Sequence, residues 1–185
     1  MDFKYGTGNL ALDLVGTVGR RRGDVRELLA GPADLARWVA GAGLADRPVS
    51  ADADGFAEAL RLREAVYRLA LGAIDGTGYR AADRRVLNEA AAGPAVTTSL
   101  DGDGSVRRDG NLAAVLAEIA RAAVELLGGP EAGKIKECAD ADCTRLYVDH
   151  SRKQARRWCD MKSCGNRAKV AEFRARKATV ADHQG

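Results

Sequence analysis

All four cysteines of the 185-residue chain fall within 27 positions, as Cys138, Cys143, Cys159 and Cys164. The runs CADADC and CDMKSC give a C-x4-C pair, fifteen intervening residues, and a second C-x4-C pair. Two similar pairs separated by a short insert suit a tetrahedral Zn²⁺ site. Each pair brings two thiolates to one side of the metal, and the insert lets the chain turn back. Four thiolates fill the coordination sphere, so such a zinc is structural and leaves no open position for water or substrate. Disulfides are the rival chemistry, with three pairings open to four cysteines, but the cytoplasmic setting expected for this chain disfavours them. Buried free thiols are the plainest alternative, and clustering with none in the other 158 positions argues against it. A zinc site that releases its metal on oxidation is a further alternative. His150 lies within the insert and stands in reserve as a ligand.

Positive charge gathers in the same segment. Residues 1–137 hold 18 Lys+Arg against 20 Asp+Glu, whereas 138–185 hold 11 against 6 and 144–181 hold 11 against 3. Such asymmetry fits a polyanion partner or a solvated basic tail. Arg152, Lys153, Arg156 and Arg157 cluster in the insert; Arg167, Lys169, Arg174, Arg176 and Lys177 follow the last cysteine. Counterion release on binding nucleic acid uses density of this kind. Arginine also pairs with guanine edges and asparagine with adenine, which singles out Asn166 and Arg167 at the start of a helix. The candidate nucleic-acid contacts are therefore Arg152, Lys153, Arg156, Arg157, Asn166, Arg167, Lys169 and Arg174. Arg156 and Arg157 are the better placed for phosphate, since a turn has little to bury. Val170 and Phe173 form an apolar stripe between the helix cations; packed on the module, that stripe would make them flanks of a buried seam. Asn166 has an equal claim to a bond with the thiolate beside it or with local backbone.

Local patterning gives these residues a frame. TRLYVD (144–149) reads as a short strand, HSRKQAR as a polar turn, RWC as a returning strand, and GNRAKVAEFRARKATVAD as a terminal helix. Knuckle, hairpin and helix make a treble-clef-like module in which Trp158 and Tyr147 serve as core plugs rather than base-stacking platforms. Upstream the chain reads as mainly helical, over 31–44, 56–74, 79–93 and 112–127, with Asn111 as an N-cap and Gly128-Gly129-Pro130 as a stop. AVTTSLDGDGSVRRDG, between the last two helices, reads as a hairpin, with a mobile loop as the alternative. The expected organisation is mainly α: a helical domain over 1–130 with a small β-hairpin, then the four-cysteine module over 131–185. Asp13, set among apolar residues, reads as a buried hydrogen-bond anchor.

Other function classes find little support. No nucleophile elbow, phosphate loop, paired-histidine metal motif or dinucleotide fingerprint occurs, and both histidines, His150 and His183, lie in the basic end. The N-terminus lacks the basic-then-apolar pattern of a signal peptide, and no apolar run reaches the roughly 18 residues of a membrane span. The expectation is a cytoplasmic protein that is not an enzyme and does not contact a membrane.

CADADC, LYVDHSR and RRWCDMKSCGNRAK together resemble the CGNR zinc-finger family, named for the run found here at 164–167. NLALDLVGTV (9–18), RELLAGPADLARWVAGAGL (26–44) and LRLREAVYRL (60–69) resemble the ABATE domain that usually precedes this finger. One departure is visible: Gly16 stands where the family commonly has asparagine before threonine. The resemblance implies a transcription regulator linked to stress responses. The expected function is DNA binding through the zinc module, with the helical domain receiving a small molecule, a protein partner or a second copy of the chain. The alternative is a module that docks an acidic protein surface or RNA.

Overall fold

Asn9 starts the first helix by accepting a hydrogen bond from the Ala11 amide at 2.9 Å, and its side-chain amide donates to the Ala122 carbonyl 3.1 Å away. The computed structural model describes residues 3–182; His183 and the side chains of 175 and 177–182, Lys177 among them, lie outside the described residues. The order is α1 (Leu10–Val15), β1 (Val18–Gly19), β2 (Arg26–Glu27), α2 (Pro32–Gly41), α3 (Ala53–Asp75), α4 (Ala81–Ala91), β3 (Thr97–Leu100), β4 (Val106–Asp109) and α5 (Leu112–Gly128). A 3₁₀ turn (Ala132–Lys134), β5 (Ile135–Glu137), β6 (Leu146–Val148), a π-turn (Met161–Gly165) and α6 (Asn166–Asp182) complete it. The chain is mainly helical, with three two-stranded antiparallel ribbons. Among the described residues no helix is long and apolar enough to cross a membrane.

The helices follow from caps and periodicity. Pro32 opens α2, Asp52 accepts from the Gly55 amide to cap α3, and Asn111 accepts from the Ala114 amide to cap α5. Gly76, left-handed at φ 66°, ends α3. Leu12, Leu14 and Val15 of α1, Leu62, Val66 and Leu69 of α3, and Val115, Ile119 and Ala123 of α5 are sealed from water and form one core. Trp38 is wholly buried, and its carbonyl accepts the Tyr5 hydroxyl at 2.9 Å. The β3–β4 hairpin pairs Thr97 with Asp109 and Leu100 with Val106, and both strands are exposed. Asp13 is buried and accepts the Thr7 amide at 2.9 Å, the anchoring role its surroundings suggest.

An ion network built on the buried Arg63 fixes the β1–β2 ribbon. Arg63 of α3 donates two bonds to the Glu27 carboxylate, at 2.8 and 2.7 Å, and one to the Thr17 hydroxyl at 3.1 Å. Arg21 pairs with Glu64 at 2.6 and 3.1 Å and lies over the Tyr67 ring, 4.0 Å from its centroid. Its backbone amide donates to the Thr144 hydroxyl at 3.0 Å, which ties the ribbon to the cysteine module.

The module's hairpin differs from the one its sequence suggests. Leu146–Val148 pairs with Ile135–Glu137, not with a strand at Arg157–Cys159. Ile135, Leu146 and Val148 belong to the same core as the helices, and the Val148 amide donates to the Thr7 carbonyl at 2.7 Å. The bond from the Cys138 amide to the Arg145 carbonyl, 3.0 Å, extends this pairing and makes CADADC the hairpin loop. Residues 149–156 cannot form a ladder because buried Asp149 gathers them. It accepts from the Ser151 amide at 2.9 Å, the Arg156 amide at 3.0 Å and the Lys136 ammonium at 2.6 Å. Burial alone would raise the Asp149 carboxyl, but Lys136 and these donors hold it well below the usual carboxylate range.

Because Leu146 has no exposed surface and belongs to the shared core, Leu146→Ala is expected to cost about 2–5 kcal/mol. Urea unfolding followed by Trp38 and Trp158 fluorescence should show one transition at a lower midpoint. Loss confined to the cysteine module would contradict a shared core.

Candidate metal centre

Each C-x4-C gap contains an aspartate that turns the chain. In the first, Asp140 accepts from the Asp142 amide at 3.1 Å, and the Asp140 carbonyl accepts the Cys143 amide at 2.8 Å. In the second, Asp160 accepts from the Lys162 amide at 2.9 Å and the Ser163 hydroxyl at 2.8 Å, while its carbonyl accepts the Gly165 amide at 3.0 Å. These Asx turns point both thiols of each pair to one side. Neither aspartate was singled out from spacing, although a turn-forming residue within each four-residue gap was the available signal.

The sulfurs of Cys138, Cys143, Cys159 and Cys164 all lie within 4.8 Å of one another. Cys143 and Cys159 are 3.7 Å apart, and Cys159 and Cys164 3.6 Å. A metal–sulfur bond of about 2.3 Å sets tetrahedral sulfurs about 3.8 Å apart, so the cluster is compatible with four-thiolate coordination. Cys138 and Cys164 are buried, and Cys143 and Cys159 half-buried. Donation from Cys143 and Cys159 holds the Cys138 thiol well below its usual range; that donation, together with burial, drives Cys159 the other way. Burial, together with the electrostatics of the neighbouring cysteines, pushes Cys164 up to about 12. The Cys159 amide points at the Cys138 sulfur, 3.4 Å away. His150 lies apart from the cluster, with Nε2 2.8 Å from Glu131.

The residues after Cys164 brace the site. A Cβ at Gly165 would come within 2.9 Å of the Met161 sulfur and 3.3 Å of Trp158 Cδ1, so a side chain there would require the Met161 thioether to move. Asn166 donates to the Lys162 carbonyl at 3.2 Å and is otherwise exposed. Arg167 donates to Asp140 at 3.0 and 2.8 Å and to the Cys164 sulfur at 3.1 Å, linking the two knuckles. Arg156 lies over the Tyr147 ring, 4.4 Å from its centroid, and donates to the carbonyls of Trp158, at 2.8 Å, and of Cys159. Tyr147 is fully buried; burial pushes its phenol up to about 12, so it stays a donor, 2.7 Å from the Arg156 carbonyl. Trp158 is half-buried, with Arg157 over its ring at 4.9 Å.

Other sequence-marked cations face water. Arg152, Lys153, Arg157, Lys169 and Arg174 are exposed. Val170 and Phe173 of α6 are 47% and 55% exposed, so their stripe is not seated in the module. Near Gly16 the Arg145 guanidinium donates to the Gly16 and Lys4 carbonyls, each at 3.2 Å.

Since Arg167 joins Asp140 to a thiol, Arg167→Gln is expected to lower Zn²⁺ affinity about 10–100-fold in competition with a chromogenic chelator. Unchanged affinity would reduce Arg167 to a surface cation.

Residues 8–130 match the model of the ABATE family, described as "Putative stress-induced transcription regulator". Residues 134–177 match the CGNR zinc finger. A search of curated proteins found no match. With two-thirds of its length in the first match, the chain belongs to the ABATE family and carries a CGNR zinc finger behind its ABATE domain.

Proposed function

We propose that this protein is a DNA-binding transcription regulator, in which a structural Zn²⁺ held by Cys138, Cys143, Cys159 and Cys164 shapes a phosphate-binding finger. The helical domain, residues 1–130, is the sensor or interaction half, open to a small molecule, a protein partner or a second copy of the chain. Zn²⁺ supplies no chemistry to a substrate here; it neutralises and fixes four thiolates. Reduced thiols held this way suit the cytoplasm.

The observation that carries the reading is how the cations are paired. In the helical domain most cations, Arg21, Arg37, Arg63, Arg68, Arg107 and Arg121 among them, lie against a carboxylate, and among the described residues the exceptions are Arg26, Arg47, Arg80, Arg84, Arg85 and Arg108. In the finger Arg152, Lys153, Lys169 and Arg174 are exposed, and among the described residues no ion pair involves them. Cations left to water are those that release counterions from a polyanion. Arg156 and Arg167 already brace the finger, which shifts the phosphate contacts to Arg152, Lys153, Arg157, Lys169 and Arg174. Most of α6 from Asn166 to Arg176 is exposed, and a major groove about 12 Å wide admits such a helix. Asn166, at its first turn, is exposed, which leaves a base contact open to it beside its bond to the Lys162 carbonyl.

A second reading has its own support. Met161, Val170 and Phe173 are each about half exposed beside the finger, which suits docking on a protein or on RNA.

Elemental analysis is expected to find a single Zn²⁺ per chain, lost in Cys164→Ser. The zinc-loaded protein should bind mixed-sequence duplex DNA with strong salt dependence. Arg152→Gln with Lys153→Gln should lower the slope of log K against log salt by about 0.9 per lost contact. No salt-dependent affinity for any duplex, alongside retention of RNA or an acidic protein, would favour the second reading.

A further inference from the structure

The helical domain has a basic edge of its own, and it borders the metal centre. A cleft of about 360 Å³ separates the β1–β2 ribbon from the finger, with Cys143, Cys159 and Cys164 on its finger side. Arg20 and Arg26 line it from the ribbon, Lys4 from the N-terminal segment, and Arg145 and Arg167 from the finger. Asp142 and Asp160 are its acidic members.

These cations are not equivalent. Four thiolates around a dication leave two net negative charges, and the nearest cations answer to them. Arg167 touches the Cys164 sulfur and is paired with Asp140; Lys4 lies 3.7 Å from Asp160. Arg145 is half-buried and held on two backbone carbonyls. Arg26 is different: it is exposed, and among the described residues its side chain makes no ion pair or hydrogen bond. Arg20 is exposed and reaches only Asp24, at 4.0 Å, whose side chain is 91% exposed, so water and salt screen the pair.

The ribbon also presents these two side chains rigidly. Arg26 sits opposite Gly19 in the β1–β2 register, and a Cβ at Gly19 would meet nothing within 4 Å. The strand facing Arg26 is therefore bare and admits a close approach. Arg20 is held left-handed at φ 57°, a conformation side chains disfavour, and the next amide is fixed on Thr144 of the finger. The Arg63–Glu27 pair anchors the far strand to α3. On the other side of Arg167 a second groove continues past Lys162 and Arg174 of the finger. Cations thus run from the ribbon, past the metal centre, to α6.

We propose that the ABATE domain is itself part of the nucleic-acid interface: Arg26 and Arg20 of the β1–β2 ribbon bind backbone phosphates of the same duplex that the finger binds. This inference rests on the DNA-binding reading above. As phosphate contacts, these two would contribute affinity and orientation, the role of backbone contacts on a duplex.

The test uses full-length, zinc-loaded protein and a mixed-sequence duplex, titrated between about 50 and 200 mM salt. Arg20→Gln with Arg26→Gln should lower the slope of log K against log salt by about 1.8 and weaken binding roughly tenfold per contact near 0.1 M salt. Zinc content and the unfolding midpoint should stay unchanged, because both side chains are exposed. If this variant binds like the unaltered protein while Arg152→Gln with Lys153→Gln is weakened, the interface is the finger alone and this inference falls while the DNA reading stands. If the unaltered protein shows no salt-dependent duplex affinity, both fall. If the ribbon variant loses only binding of inorganic pyrophosphate, the cleft is a seat for a small anion and the inference is likewise overturned.

Discussion

Four thiolates within 4.8 Å of one another repel too strongly to ionise together unless a cation sits between them. The opposed displacements of Cys138 and Cys164 express that constraint: one thiolate is favoured, and its neighbours are then held protonated. A metal ion bound between them would remove the conflict, and its binding would then be coupled to the folding of residues 138–165. That segment has few apolar side chains for a core of its own. Its hairpin gives them away instead, because Leu146 and Val148 alternate onto the helical core while Tyr147 faces the finger. Strand β6 is therefore where two stabilising effects meet, hydrophobic burial on one face and the hydrogen-bonded cysteine turns on the other.

The same constraint explains the residues around Cys164. Gly165 leaves room for Met161 and Trp158, Asn166 holds the turn through the Lys162 carbonyl, and Arg167 offsets thiolate charge while reaching the opposite knuckle. Each of the four residues from Cys164 to Arg167 has a local structural role. Arginine suits the last place better than lysine, since its planar fork donates to a carboxylate and a sulfur at once. The position at a helix start that draws attention to Asn166 and Arg167 as base readers is thus the position the metal centre needs for support.

Much of the fold was legible because its signals are local. Pro32 and Asn111 mark helix starts, periodic leucines mark the buried faces, and the Asp-Gly pair at 101–102 marks the β3–β4 turn; the Asp52 cap, which starts α3 ahead of the expected residue 56, was not read. The cysteine pairs were equally legible, since four thiols so closely spaced have few uses. What escaped was non-local or very short. Strand β5 spans only Ile135–Glu137, and its partner is chosen by Asp149, whose buried carboxylate folds the following residues into a turn. The two-residue strands β1 and β2 carry no periodicity at all; Arg63 and Glu27, 36 positions apart, define them.

Charge was the hardest property to read from sequence, because a count of arginines does not say which are already paired. The helical domain is slightly acidic overall, yet it contains both Arg63, 4% exposed and held by two carboxylates, and Arg26, exposed with no such partner. A buried arginine of the first kind fixes geometry, and removing its carboxylates would leave its charge unpaired in the interior. An exposed cation of the second kind contributes little to the fold and keeps its attraction for anions. The finger divides in the same way, with Arg156 and Arg167 turned inward and Arg152 and Lys153 left to water. On the proposed DNA-binding reading, contact with a polyanion falls to the second kind in both halves. The first kind, by clamping the ribbon to α3 and the knuckles to each other, sets where the free cations stand.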